Sequence, residues 1–438
     1  MASYHYLPLA EPKKDIRLID LLPGHRADDI IVSIRHASLT PSPPKKAVNP
    51  SLKELEKTLP PGWWARENLE GRRLFIRPIA PYNWFATWKH PDAMFGPESQ
   101  EEDAVESSPT CSLDYDALSY VWGSPDNPVT VFVPPTKTTD ALLTLRIQRN
   151  LAVALRALRY HDKPRTLWVD ALCINQSDTN ERDVQITRMA DIYSLAPRVV
   201  VWLGPRSPAS TLALSTLNYL GQQVEVTKDR YYVRSPTATE PEWYNFLSEL
   251  PYPIKTWFAI LDLTKRTWFD RLWIVQEIHL ANPAHSLVQC GADVVPWRYF
   301  RRALLCLSEK KTGLVPLREL SARLDHFWYL GVPPHSLPLR SLLHMSSTRL
   351  CTDPRDKIYG LLGLATIANL KALEKIRPNY AASIAVAYTE AFLTIYEATK
   401  STELLIQCGQ GPSLQRQQRE TPFCTARKIS QRHPLSWR

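Results

Sequence analysis

Side chains able to do chemistry cluster at two places in this chain. Between Thr166 and Gly204, two apolar runs, LWV and RVVVWL, bracket a polar stretch, and Asp170 follows LWV directly ahead of a Cys-Ile-Asn-Gln turn. If LWV is a parallel strand, Asp170 stands at its carboxyl end, the edge at which open α/β sheets bind ligands. Asn175 and Gln176 belong to the same turn, and Ser119, Tyr120 and Trp122 close an earlier strand, DYDALSYVWG, at the same edge. The second place is WFDRLWIVQE, residues 268–277. A helix starting at Asp270 sets Asp270, Trp273 and Glu277 on one face, with an indole one turn from a carboxylate. Such a pair can desolvate the acid or offer a ring for stacking.

Each of these residues also has a purely structural reading. Asp170 can hold the turn through side-chain to backbone bonds. Trp122 can be core, and Glu277 can be a surface acid beside a core Trp273. Asp178 followed by Glu181 has the form of a capping box opening a helix, which explains Glu181 better than a role as base. Cys173 has no His placed by the sequence to activate it, so a buried thiol is expected. Asp353-Pro-Arg-Asp356 has the grammar of a helix start.

The elements that would position these groups alternate. Residues 14–36 predict strand, Pro-Gly turn and strand; PVTVFV and LWV are further strands; QRNLAVALRALRY and the segment from Asp178 are helices. Beyond 210 the pattern becomes mostly helical, with segments at 211–221, 254–266, 270–281, 297–309, 339–347, 355–367 and 383–398. This order predicts an α/β fold with a mainly parallel sheet and helices on both faces, followed by a mostly helical region.

Composition excludes several classes. The formal charge is +9, but residues 411–438 hold six Lys/Arg against one Glu, so a solvated basic tail accounts for it better than a nucleic-acid face. The 7 cysteines are scattered singly, against a disulfide framework or a zinc knuckle, and no metal site is expected. No run is long and apolar enough for a membrane span, and no secretory signal pattern opens the chain, so a cytoplasmic protein is expected. Neither a dinucleotide-binding glycine fingerprint nor a P-loop occurs.

The blocks DYDALSYVWG, LWVDALCINQSDTNERDVQ, MADIYSLAPRVVVWLG and WFDRLWIVQEIHLA, followed by CTDPRDKIYGLLGLA, resemble in order those of the fungal heterokaryon incompatibility (HET) domain. The opening YLPL and IRLIDLLPG are similar to that family's N-terminus. The resemblance implies self/non-self recognition between hyphae, regulated cell death and a TIR-like, flavodoxin-like core. Some TIR members cleave NAD at the nicotinamide–ribose bond. By that likeness DYDALSY and LWVDA are the first two core strands, and Glu277 is the catalytic carboxylate. Ser119, Tyr120, Trp122, Asp170, Asn175, Gln176 and Trp273 form the candidate substrate pocket. NAD would be substrate, with no cofactor implied. Self-association or an incompatibility partner protein is expected, and a non-catalytic self-associating signalling module is the alternative.

LPPGWWARENLEGRRLFIRPIAPYNWFATWKHPD, residues 59–92, resembles a WW domain, which would place a proline-rich peptide on Trp88. It departs from that pattern at Leu74 and Pro78, where ligand-groove Tyr and His are usual. The expected organisation is N-terminal strands in 1–39, this insertion, a core in 111–281, a helical extension in 282–400, and a disordered or truncated tail in 401–438. Pro-rich and acidic linkers at 40–51 and 96–110 flank the insertion.

Overall fold

The computed structural model describes residues 2–42, 50–80, 83–92, 111–135, 142–311, 313–365, 371, 373–400 and 402. The acidic linker 96–110, most of the Pro-rich linker and nearly all of the tail lie outside the described residues.

Among the described residues seven strands make the main sheet: β1 (Asp15–Leu21), β2 (Val32–Ser38), β3 (Asp116–Ser119), β4 (Arg165–Trp168), β5 (Arg198–Trp202), β6 (Leu287–Cys290) and β7 (Asp293–Pro296). Their order is β7-β6-β5-β3-β4-β1-β2. The four inner strands β4, β3, β5 and β6 pair in parallel, while β1, β2 and β7 add antiparallel edges. Residues 199–202 of β5 are buried, as expected for a strand covered on both sides. Among the parallel strands the chain starts in the middle, at β3. It goes to one side for β4 and returns to the other for β5 and β6. The two crossovers therefore part beside β3, and a crevice opens at the carboxyl ends of the strands.

The helices that matter for the site are α1 (Arg149–Leu158), α2 (Thr179–Leu195), α3 (Pro208–Gln223), α4 (Ile254–Thr264), α5 (Ile274–His279), α6 (Trp297–Glu309), α7 (Arg318–Gly331), α8 (Leu339–Ser347), α9 (Asp356–Leu362) and α10 (Ile384–Thr399). Strands and helices share one apolar core that includes Trp168, Trp202, Trp268 and Trp297. α3 and α6 approach so closely at Gly221 that an added Cβ would lie 1.9 Å from the Tyr299 carbonyl oxygen. Only glycine fits there.

Three local expectations need correction. PVTVFV is a strand, Val129–Val133, but it joins a separate small sheet with Leu143–Ile147 and Ala2–Ser3. α7 escaped the helical reading although Leu320, Leu324 and Phe327 keep helical spacing and are buried. The sheet also runs on past residue 281, because β6 and β7 complete its edge before α6 begins.

The insertion forms a three-stranded antiparallel sheet of Trp64–Glu67, Arg73–Ala80 and Asn83–Thr87. It is bolted to the rest of the protein. In the turn between its first two strands, Glu70 is buried against Arg301 (2.7 Å) and Arg302 of α6. Arg302 also pairs with buried Glu225 at 2.5 Å, and Asn68 donates to that same carboxylate at 2.9 Å. Backbone bonds from Leu69 to Val226 and from Lys228 to Glu67 close the joint. Burial opposes the charge on Glu70, but the two guanidiniums outweigh it and hold its pKa below the usual range. The Trp88 ring carries the Arg72 guanidinium 3.8 Å from its centroid, a cation–π contact.

Glu70→Ala strips two buried guanidiniums of their shared carboxylate, so it should cost about 3–5 kcal/mol of unfolding free energy. Urea denaturation checks this, and a loss under about 1 kcal/mol would mean the insertion is only loosely attached.

Candidate active site

β3 places Ser119 at the centre of the carboxyl edge. The register of β5 sets Val201 beside Ser119, and that of β4, with Trp168 opposite Ala117, carries Asp170 to the same level. A serine and an aspartate thus share the edge where the crevice opens.

Glu277 comes to Ser119 from α5. The Ser119 hydroxyl donates to Glu277 Oε2 and accepts from Trp268 Nε1 at 2.8 Å. Glu277 is 2% exposed, and burial raises its carboxyl pKa against the opposing pull of Arg271. Arg271 Nη2 lies 3.6 Å from Glu277 Oε1, while its Nη1 donates to the Tyr120 carbonyl. Asp170 accepts from Trp122 Nε1 at 2.7 Å and from its neighbour Ala171 at 2.7 Å, with the Tyr120 hydroxyl as a further partner. Burial raises the pKa of Asp170 too, and the negative charge of Asp170 works against ionisation of Glu277.

Beside these groups opens a cleft of about 260 Å³. Tyr120, Trp122, Asn175 and Gln176 line it, together with Tyr6 and Arg146 from outside the expected set. Ser119, Asp170, Glu277 and Trp273 are not among its lining residues. The fold therefore splits the predicted constellation into a cleft wall and residues outside it, of which Ser119 and Glu277 are buried and Asp170 and Trp273 partly so. Trp122 is 36% exposed and belongs to the wall, not the core.

Several sequence expectations change here. Residues 270–277 are not one helix, because a 3₁₀ turn, Thr267–Asp270, ends before α5 begins. Asp270 therefore turns away to pair with Arg323 at 2.6 Å. Trp273 Nε1 donates to Asp356 at 3.2 Å, so its polar edge faces α9 and not the cleft. Tyr380 donates to the same carboxylate at 2.5 Å, and this tethers α5 to the segment that follows it. Asp178 does cap α2, accepting from Asn180 and Glu181 backbone nitrogens. Glu181 does not complete the box, because Arg17 takes its carboxylate in a fork at 2.5 and 2.9 Å. Asn175 serves that turn, its amide donating to Glu181 at 2.8 Å and its side chain accepting from Ser177 at 3.2 Å. Gln176 donates to the Asp170 carbonyl at 2.9 Å. Cys173 is buried, and burial pushes its thiol up to about 12, so it is no nucleophile.

Sequence reasoning missed Trp268, Arg271 and Arg17. Arg271 and Glu277 are six residues apart, a spacing that announces no pair in a helix. Among the described residues no group of three or more His, Cys, Asp or Glu could hold a metal ion, and no helix is long and apolar enough to cross a membrane.

The site belongs to an α/β protein with a buried carboxylate behind the carboxyl edge of its central parallel strands. Residues 115–277, from the start of β3 to Glu277, match the family described as heterokaryon incompatibility protein (HET). The chain is also 32% identical over 318 residues to heterokaryon incompatibility protein 6, OR allele, of Neurospora crassa, covering 62% of this chain and 45% of that protein. It thus spans under half the length of that relative. No solved structure matches the chain.

A carboxylate with a raised pKa contributes stability below its unfolded value, about 4.3, and loses it as pH rises through the folded value. Glu277→Gln keeps an acceptor for Ser119 and removes that loss. The variant should therefore gain on wild type between pH 4 and pH 8 in urea midpoints. A variant that falls further behind as pH rises would show instead that the ionised pairing with Arg271 dominates.

Proposed function

We propose that this chain is a heterokaryon incompatibility-type effector of fungal self/non-self recognition and regulated cell death, built on a TIR-like core that hydrolyses NAD. The observation that carries this reading is Glu277. It closes the segment matched to the HET family and is buried behind an aromatic-walled cleft at the carboxyl edge of the sheet. The strand order around β3 supports the flavodoxin-like assignment.

In this reading the bond between ribose C1′ and the pyridinium nitrogen breaks with its electron pair going to nitrogen, so nicotinamide leaves neutral. Water takes the ribosyl cation and releases a proton. The carboxylate of Glu277 stabilises the oxocarbenium-like transition state. Tyr120 and Trp122 supply aromatic surface for the leaving ring, and Asn175 and Gln176 supply amides for hydrogen bonding. The protein works in the cytoplasm through self-association or an incompatibility partner. Its insertion is WW-like in strand number and serves protein–protein contact, with a proline-rich segment at Trp88 displacing Arg72.

A second reading is favoured by the burial of Glu277 and its bond from Ser119: a keystone acid in a non-catalytic, self-associating signalling module. Nicotinamide release from NAD by purified protein, across a range of protein concentrations, separates the two. Wild type should release nicotinamide, and Glu277→Gln should lose at least about 100-fold, the scale of a lost charge-stabilising group. No turnover by wild type at any concentration would leave the signalling module.

A further inference from the structure

The cleft and the buried acid are separate features, and Arg271 touches both. One of its nitrogens donates to the carbonyl of Tyr120, a residue of the cleft wall; another lies 3.6 Å from the Glu277 carboxylate. The Arg271 side chain is 18% exposed and that of Glu277 3%, so the guanidinium stands on the solvent side of the acid. Its backbone is extended (φ −71°, ψ 144°), between the 3₁₀ turn and α5. It is also clamped there: Leu272 donates to the Leu350 carbonyl at 2.8 Å and Leu350 to the Asp270 carbonyl at 2.6 Å. With the backbone held in place, the planar guanidinium loses less freedom per hydrogen bond in reaching two acceptors than a flexible ammonium would.

We propose that Arg271 is the positioning residue of this site, joining the cleft wall at Tyr120 to Glu277 and setting the orientation and charge of that acid. The proposal deepens the NAD-cleaving reading above and rests on it for its catalytic meaning. The groups facing Glu277 are Ser119 from β3, Asp170 after β4, Tyr193 from α2 and Arg271 itself. Asp170 opposes ionisation of Glu277, and burial holds the Tyr193 phenol neutral at ordinary pH. Arg271 is the cation in that set. Lysine would keep the charge but could not fork between carbonyl and carboxylate, whereas methionine keeps length and loses both functions.

The test is a ¹³C NMR titration of side-chain carboxyls in the full chain, with the Glu277 signal assigned by its disappearance in Glu277→Gln. Arg271→Met should raise the Glu277 midpoint by about 1 pH unit or more, and Arg271→Lys should hold it near wild type. Arg271→Gln, neutral but still able to donate to Tyr120, repeats the comparison should the methionine variant fail to fold. An unchanged Glu277 midpoint in the folded neutral variants would overturn the proposal. If wild type cleaves NAD, the acid limb of the pH–rate profile should move upward in Arg271→Met and return in Arg271→Lys. An unmoved limb also overturns the role of Arg271, while leaving NAD cleavage intact. If wild type does not cleave NAD, the function reading fails by itself, and the titration still decides whether Arg271 governs the acid.

Discussion

A carboxylate buried at the end of a central strand must have its oxygens satisfied, and that requirement organises the structure around Glu277. An uncompensated charge there would be expensive, so partners converge on it from different elements: Ser119 from β3 and Arg271 from the clamped turn before α5. Trp268, which donates to Ser119, fixes the direction of the hydroxyl and so of the hydrogen-bond chain. The sheet, the 3₁₀ turn and α5 are therefore joined at one polar point inside an apolar core.

That joint needs support from regions distant in sequence. Leu350 pairs with the backbone on either side of Arg271, and Asp356 holds the Trp273 indole. The segment around CTDPRD, which read as helix-start grammar, thus acts also as a brace for the acid-bearing helix. On the other side of the sheet edge, Arg17 of β1 forks onto Glu181 and reaches the carbonyl of Cys173 at 3.2 Å. The turn carrying Asn175 and Gln176 is fixed by this buried pair. A third buried charge cluster, Glu70 and Glu225 with Arg301 and Arg302, fastens the insertion. Each cluster joins segments more than 70 residues apart, so removing one partner would strand a charge in the interior.

Much of the architecture was legible. LWV and RVVVWL are apolar runs of strand length, and both are buried strands of the main sheet. Asp170 was placed at a carboxyl edge by its position directly after LWV, and it stands there. The same local grammar gave Asp178 as a cap. It failed where two elements compete for one side chain. Glu181 fits a capping box as well as an ion pair, and the pair with Arg17 won because a buried guanidinium needs a counter-charge more than an exposed helix start needs a second cap. It also failed at 268–277, where helical periodicity cannot reveal the extended residue at 271 that redirects Asp270 and Trp273.

By itself the sequence determined the strand and helix periodicities, the carboxyl-edge position of Asp170, the buried character of Cys173 and the presence of an acid at 277 within a family-like block. These follow from side-chain type and short-range spacing. Only the tertiary structure decided that Glu277 is sealed behind the cleft instead of lining it. It alone decided that Arg271 links acid and wall, and that Arg17 and Glu70 spend their charges on segments far along the chain. Pairing of buried charges depends on which elements the sheet order brings together, and no local spacing encodes that.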